Sequence, residues 1–378
     1  MRNFDPRRRR ALTAGVAALA AAPLAVGAGV TKAPAEHRTT MRAYQIGNQQ
    51  GLDSLTLATR PPLRPGPGEV VVEVRASALN HRDLSILQGQ YGSRKAPDRI
   101  PVGDGAGVVR EVGAGVSAFK VGDRVTAPHF VLWQDGAYDP SIFSEDAGNT
   151  RDGWLADEIM LPASALLSVP EGMSFEQAAS LGAAGITAWH VLETLGQIKA
   201  GDTILALGTG GVAVLALQIA KLNGARVAIT SSSDDKLAIC RELGADITVN
   251  YRKHPAWQDA VRAATGGRGV DIVAETVGIS TLAQSLACCA PNARIGLLGA
   301  LGGPAAGSTQ LGALILNNIT LKGITSGSKR MLGDLLRASA HHGLKPKIDR
   351  VFPFEQAAAA FAYLQSGAHV GKIVVRHD

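Results

Sequence analysis

Cysteine is scarce in this chain: Cys240, Cys288 and Cys289 are the only three in 378 residues. Two of them are adjacent, so no disulfide framework is available, and all three lie in apolar segments where they read as small core residues. Aromatic residues make up 4% of the sequence and are not interleaved with lysine or arginine, which removes the stacking platform that a nucleic-acid surface needs. Charge does not supply one either. The formal net charge is +6, but Arg2, Arg7, Arg8, Arg9, Arg10, Lys32 and Arg38 all precede Met41 and leave the rest near neutral. Past Met41 there is no internal repeat and no apolar run long enough to span a membrane. A hydrophobic content of 46% with 19% charged residues is that of a soluble globular protein, and the length suggests two domains.

The segment before Met41 has its own logic. A basic start, Arg7 to Arg10, leads into an alanine-rich run from Ala11 to Val30 and small-residue sites such as Ala33-Pro34-Ala35. That is the layout of an export signal, and its consecutive arginines resemble the twin-arginine type. The expectation is a periplasmic protein; the alternative is a cytoplasmic one with a disordered basic extension. Residues 1–40 are therefore set aside from the fold.

From Met41 to Pro170 the sequence is rich in short strands. Glu69 to Arg75, Gly107 to Val112 and Arg124 to Thr126 are bounded by Gly, Asp or Pro, and the polar stretch Trp133 to Thr150 lacks periodicity and reads as a surface loop. Past Pro170, strands and helices alternate. A helix in two pieces, broken near Gly185, covers Phe175 to Leu195. Further helices are expected at Asp234 to Leu243, Pro255 to Thr265 and Thr281 to Cys289, with strands at Asp246 to Val249, Val270 to Glu275 and Arg294 to Leu298. A last strand is expected within Leu311 to Gly323. Such alternation marks an α/β fold with a doubly wound parallel sheet. In the tail, Phe354 to Gln365 reads as helix and Lys372 to Val375 as a strand returning to the first domain.

One stretch in this second half carries chemistry. Thr203 to Leu207 is an apolar strand, Gly208-Thr209-Gly210-Gly211 a turn, and Val212 opens a helix whose Leu215, Ala216, Ile219 and Leu222 keep helical spacing. Gly208 permits the tight turn, Gly210 leaves no Cβ between backbone and a pyrophosphate, and Ala213 fills the small third position of the dinucleotide fingerprint. Free N–H groups and the helix dipole attract the anion. Gly105-Ala106-Gly107 is a decoy, because Val108 to Val112 continues as strand. The second strand, Arg226 to Thr230, ends in Ser231-Ser232-Ser233 with Lys236 close behind, where an NAD-binding enzyme carries a carboxylate. Hydroxyls plus a lysine favour a 2′-phosphate, so NADP is expected. A helix cap is the competing role for these serines.

Taken together, Ala78-Leu79-Asn80-His81-Arg82-Asp83-Leu84, Pro101 to Val109, Val121-Gly122-Asp123-Arg124-Val125 and Ala184 to Trp189 resemble the medium-chain dehydrogenase/reductase family, in its zinc-free quinone oxidoreductase and zeta-crystallin-like branch. The resemblance implies a GroES-like β-rich catalytic domain over 41–165, a Rossmann domain over 166–325 and a tail, 326–378, that returns to the catalytic domain. It also implies a homodimer joined at the sheet edge near Leu311 to Gly323. It puts Asn80 and Asp83 near substrate and nicotinamide ribose, and Thr187 beside the nicotinamide. Tyr91 matches a proton donor or carbonyl anchor of related enoyl reductases. Lys236 and Tyr251 match positions that hold the 2′-phosphate. Val277-Gly278 and Leu298-Gly299 line the cofactor cleft, and Gly371-Lys372 closes on it from the tail. His129, Phe130 and Trp133 line the pocket mouth or anchor the loop.

Zinc alcohol dehydrogenases place metal ligands where this chain has Asn80, Gly103 and Ala183, and no cysteine lies between Met41 and Pro170. No metal is expected; His81, His129 and Asp104 lack ligand spacing. Without a Lewis acid the easier chemistry is hydride transfer from NADPH to a quinone or an α,β-unsaturated carbonyl. A zinc-free alcohol or aldehyde oxidoreductase and a non-catalytic NADPH-binding sensor or structural protein remain open.

Overall fold

The computed structural model describes residues 39–299 and 311–378. The export-type segment falls outside that range. In the first half, β1 (Met41–Gln45) pairs antiparallel with β2 (Thr56–Arg60). β3 (Glu69–Leu79) is followed by α1 (His81–Leu87), β4 (Asp104–Val112), β5 (Arg124–Thr126), β6 (Glu158–Pro162) and β7 (Leu167–Ser168). α2 (Phe175–Ser180) and α3 (Ala183–Trp189), with a π-helical extension His190–Leu195, lead out of it.

The second half alternates as its periodicity requires. It comprises β8 (Thr203–Leu207), α4 (Gly211–Leu222), β9 (Arg226–Ser231), α5 (Asp234–Glu242), β10 (Ile247–Asn250), α6 (Trp257–Ala264), β11 (Val270–Glu275), α7 (Ile279–Ala287), β12 (Cys289–Leu297), α8 (Gly312–Leu316) and β13 (Thr320–Gly323). The tail adds α9 (Lys329–His342), β14 (Ile348–Pro353), α10 (Ala357–Ser366) and β15 (Lys372–Arg376). No helix among the described residues is long and apolar enough to cross a membrane.

Two sheets organise these elements. The first runs β14-β15-β3-β4-β5-β7, with β6 also on β3; β15 lies antiparallel to β3, Ile373 opposite Leu79. The second runs β10-β9-β8-β11-β12-β13 with all neighbours parallel. β8 and β11 are buried at every position, as a strand covered by helices on both faces must be. These are the GroES-like and Rossmann halves the sequence implies. β3 joins their interiors: Val70, Val72 and Val74 pack with Val109, Val125 and Trp154, whereas Ala76 and Ala78 pack with Ala184 and Ala213 of the second half. The cysteines are buried.

Four local expectations change. The helix over 175–195 breaks at Leu181-Gly182, not near Gly185. Gly185 sits inside α3, and its missing Cβ makes room for Leu335, whose Cδ2 lies 2.8 Å from where that atom would stand. The stretch 133–150 is not all surface loop: it turns through a 3-10 helix, Pro140–Glu145, and buries Asp146, Ala147 and Asn149. Leu311 to Gly323 holds a short helix before its strand. The helix ends earlier than expected: Cys288 is the turn residue that caps α7, and Cys289 opens β12, where it pairs with Val270.

Candidate active site

The second sheet grows outward in opposite directions from β8 and β11, and the crevice at the carboxyl ends of such a pair is where α/β sheets take ligands. There Gly208 has φ +77°, a conformation closed to most side chains. Gly210 is extended, with φ −78° and ψ −175°, and precedes the first turn of α4. A Cβ on Gly210 would meet no atom within 4 Å. On Gly211 it would stand 2.8 Å from Lys372 Cδ and 3.2 Å from Ala184 Cβ. The turn is braced by the Gly208 N–H, which donates to Thr230 Oγ1 at 3.3 Å, and by the Thr209 carbonyl, which accepts from the Gly371 N–H at 3.0 Å. Val212, half-buried, follows.

Around this turn the remaining cofactor candidates fall on neighbouring strand ends. Ser231 is buried and its hydroxyl accepts from the Ser233 N–H at 3.3 Å; Ser233 caps α5, the competing role weighed for this run. Ser232 lies between them. The Tyr251 N–H donates to the Ser231 carbonyl at 3.0 Å. Lys236 donates through Nζ to the Gly367 carbonyl, so its ammonium spans α5 and the tail.

Beyond β11, the buried Glu275 carboxylate accepts from the N–H groups of Val277 and Gly278 at 3.1 and 3.0 Å and from Thr281 Oγ1 at 2.8 Å. Its main-chain carbonyl takes the N–H groups of Leu298 and Gly299 at 3.1 and 3.2 Å. One acidic residue thus shapes both loops. Its only sequence signal was a charge closing the apolar run Ile272 to Ala274.

The second group of candidates gathers where β3 ends. Asn80 precedes α1, and Asp83, fully buried, accepts from the Asn80 N–H at 2.8 Å and the Gly103 N–H at 3.3 Å. Asn80 Nδ2 donates to Asp104 Oδ2 at 2.7 Å. Both Asp104 oxygens lie 2.9 Å from the Ala183 N–H at the start of α3. Gly182 is what allows this approach, since a Cβ there would stand 2.3 Å from Asp104 Cγ. Lys372 directs its ammonium toward these groups, not toward the phosphate turn: Nζ donates to Asn80 Oδ1 at 2.6 Å and to the Leu79 carbonyl at 2.8 Å. Thr187 Oγ1 donates back to the Ala183 carbonyl at 2.6 Å. Gly371-Lys372 therefore joins the two groups of candidates.

Behind Asn80 is a charge network that sequence reading missed. Arg82 Nη1 lies 2.9 Å from Asp146 Oδ1, Nη2 donates to Asp146 Oδ2 at 3.0 Å, and His129 Nδ1 is 2.8 Å from Asp146 Oδ1. The Arg82 guanidinium lies over the Tyr91 ring, its Cζ 5.5 Å from the ring centroid. These groups fill the place of a side chain at residue 103: a Cβ there would meet Arg82 Nη1 and His129 Cβ at 3.0 Å. His129, Phe130 and Trp133 are all buried and anchor the loop, the second of the two roles considered.

Burial pushes the Asp83 carboxyl and the Tyr91 hydroxyl above their ordinary ranges, with Arg82 opposing both. For Asp146 burial acts the same way, but Arg82 and His129 outweigh it and hold the carboxyl low. Burial lowers the Lys372 ammonium against the opposing pull of Asp104 and Asp83. Among the described residues, no three His, Cys, Asp or Glu side chains come together as a metal site.

Both halves of the chain are similar to known proteins. Residues 66–171 fit the family described as alcohol dehydrogenase GroES-like domain, and residues 211–340 that described as zinc-binding dehydrogenase. A zinc-type alcohol dehydrogenase-like protein of Schizosaccharomyces pombe is 40% identical over 84% of this chain and 93% of its own. A crystal structure of an NAD-dependent alcohol dehydrogenase superposes with a TM-score of 0.80 at 34% identity, covering 89% of this chain and 99% of the other. The quinone oxidoreductase of Pseudomonas syringae pv. Tomato DC3000 gives 0.75 at 30% identity, with the same coverage.

Proposed function

Since the chain belongs to the medium-chain dehydrogenase/reductase family of alcohol dehydrogenase-like oxidoreductases, we propose that it reduces a quinone or an α,β-unsaturated carbonyl with NADPH and without zinc. One observation carries the reading. Where the zinc enzymes supply metal ligands, this chain supplies the Asn80 carboxamide, a glycine at 103 whose side-chain space is filled by Arg82 and His129, and the Ala183 methyl group. A lysine ammonium stands 3.8 Å from the remaining carboxylate, Asp104. An amide and one carboxylate beside a fixed cation do not fit Zn2+, which takes four sulfur, nitrogen or oxygen donors and is repelled by a neighbouring positive charge.

The start of α4 fits a pyrophosphate: the approach to Gly210 is open, and the dipole and N–H groups supply affinity. Gly208, Thr209, Gly210, Gly211 and Val212 hold it, and Ser231, Ser232, Lys236 and Tyr251 take the 2′-phosphate. Val277, Gly278, Leu298 and Gly299 line the cleft with main chain, and Thr187 borders the nicotinamide. Bound there, the cofactor supplies the hydride. Asn80 orients the acceptor with its amide, Asp83 holds Asn80 by its main chain, and Tyr91 donates a hydrogen bond or proton to the acceptor oxygen. Burial, which keeps the Tyr91 hydroxyl protonated, favours the donor role.

The test is NADPH oxidation by purified protein against quinones, enones and aldehydes, with and without a strong chelator. Saturable quinone or enone turnover that survives chelation is the expected result. Aldehyde-only turnover would overturn the acceptor class, and activity lost to the chelator and restored by Zn2+ would overturn zinc independence. Tight NADPH binding without turnover would make the protein a sensor.

The assembly is a homodimer through the β13 edge. Ile315 and Leu316 on the adjoining α8 are each 86% exposed, an arrangement that calls for a cover. Leu316→Glu is expected to halve the mass measured by light scattering; an unchanged mass, or a monomeric parent protein, rules out this interface.

A further inference from the structure

Lys372 is 2% exposed, an unusual environment for an ammonium group. It has three protons to place. Two go to the Leu79 carbonyl and Asn80 Oδ1, and the third faces Asp104 Oδ2 at 3.8 Å, beyond hydrogen-bond reach but within an ion pair. Asp104 in turn accepts from Asn80 Nδ2 and the Ala183 N–H. The carboxamide of Asn80 is thus held at both ends, its oxygen by a cation and its nitrogen by an anion. Either charge alone would leave one end of that amide without its partner.

The stem of the same side chain carries a second relationship. It crosses Gly211 in the first turn of α4, and the preceding Gly371 bonds the Thr209 carbonyl. Lys372 therefore reaches the phosphate turn with its carbons and main chain, and the Asn80–Asp104 pair with its charge.

We infer that Lys372 is a positioning residue whose tethered ammonium provides the fixed positive charge that metal-dependent relatives obtain from an ion, and that it sets the orientation of the Asn80 amide toward the substrate. The inference deepens the reading of this site as a zinc-independent reductase and rests on it. It reassigns the charge of Lys372 from the cofactor to the substrate side. A neutral side chain of similar length keeps the contact with Gly211 and loses the hold on Asn80.

The test compares Lys372→Met, Asp104→Asn, Asn80→Ala and the double variants K372M/D104N and K372M/N80A. Thermal midpoints are measured on ligand-free protein, NADPH dissociation by fluorescence, and kcat with the best quinone or enone acceptor. K372M should lower the midpoint by leaving Asp104 unpaired, and K372M/D104N should recover much of that loss, because a neutral pair strands no charge. Both should show kcat reduced about 100-fold, the usual consequence of a misplaced reacting group, with NADPH dissociation unchanged. N80A should add little further loss to K372M.

Recovery of kcat together with the midpoint in K372M/D104N would reduce Lys372 to a structural role and overturn the inference. So would weaker NADPH binding at unchanged kcat, which would return the residue to the cofactor. If the parent protein turns over no acceptor, the functional reading fails first. In that case the midpoint cycle on ligand-free protein still decides whether the Lys372–Asp104 network exists.

Discussion

Gly210→Val is expected to weaken NADPH binding by at least about 100-fold, roughly 2.7 kcal/mol, while leaving the thermal midpoint of the ligand-free protein unchanged. The asymmetry follows from the backbone. At φ −78° and ψ −175°, residue 210 is in a region open to every amino acid. A Cβ there touches nothing of the protein within 4 Å. The substitution is therefore expected to spare the fold and to crowd the N–H groups at the start of α4, where a phosphate needs direct access.

The neighbouring glycines give no such clean result. Valine at 208 is strained by the φ of +77°, and valine at 211 runs into Lys372 and Ala184. Calorimetric titration with NADPH and a melting curve on the same sample separate the two effects. Native affinity in a folded Gly210→Val protein would remove the phosphate from this turn.

Arg82→Met is expected to be the most damaging single change to stability, at about 3–5 kcal/mol, a fall in midpoint on the order of 5–10 °C. Asp146 and Asp83 are both 0% exposed, and the Arg82 guanidinium is the cation that compensates them. Removing it leaves the buried Asp146 carboxylate with only His129 and Asn149 as side-chain partners. The sign with pH is fixed by Asp146, whose carboxyl is held below its ordinary range in the folded protein. A depressed carboxylate contributes stability above its unfolded pKa, near 4, and loses it as the pH falls through the folded value. The gap between parent and variant is therefore widest at neutral pH. It narrows on acidification, when Asp146 in the variant takes up a proton. Denaturant unfolding at pH 7 and near pH 4 measures it, and a gap independent of pH would mean that packing, not charge, accounts for the loss.

What could be read in advance divides along physical lines. The strand, turn and helix around Gly208 were legible because hydrophobic spacing changes there from strand-like to helical and because glycines mark the turn. β11 and the tail strand were legible as short apolar runs between breakers. The helix break near Gly185 was misplaced because glycine serves two purposes: it ends helices, and it lets another side chain come close, as Leu335 does here. Polarity misled in the stretch 133–150. Its polar residues suggested solvent, yet Asp146 is buried because Arg82, 64 residues earlier, meets it there.

Buried polar groups in general escaped. The partners of the Lys372 ammonium and the Asn80 amide are fixed by tertiary structure, and the two residues lie 292 positions apart. No local pattern encodes such a pair. The motif resemblance placed Lys372 near the cofactor, and only the fold reveals where its charge goes.

The antiparallel pairing of β15 with β3 also sets a timetable for biosynthesis. β3 leaves the ribosome early, but the partner for Ala76 to Leu79 follows every other described strand. Until then that edge offers unpaired backbone donors and acceptors to any strand nearby. The nascent chain must keep the edge covered or solvated throughout elongation, because the contact that closes it has among the longest sequence separations in the fold and so a high entropic cost of closure. The step that seals the sheet also brings Gly371 to Thr209 and Lys372 to Asn80, so sheet closure and assembly of the pocket are a single late event.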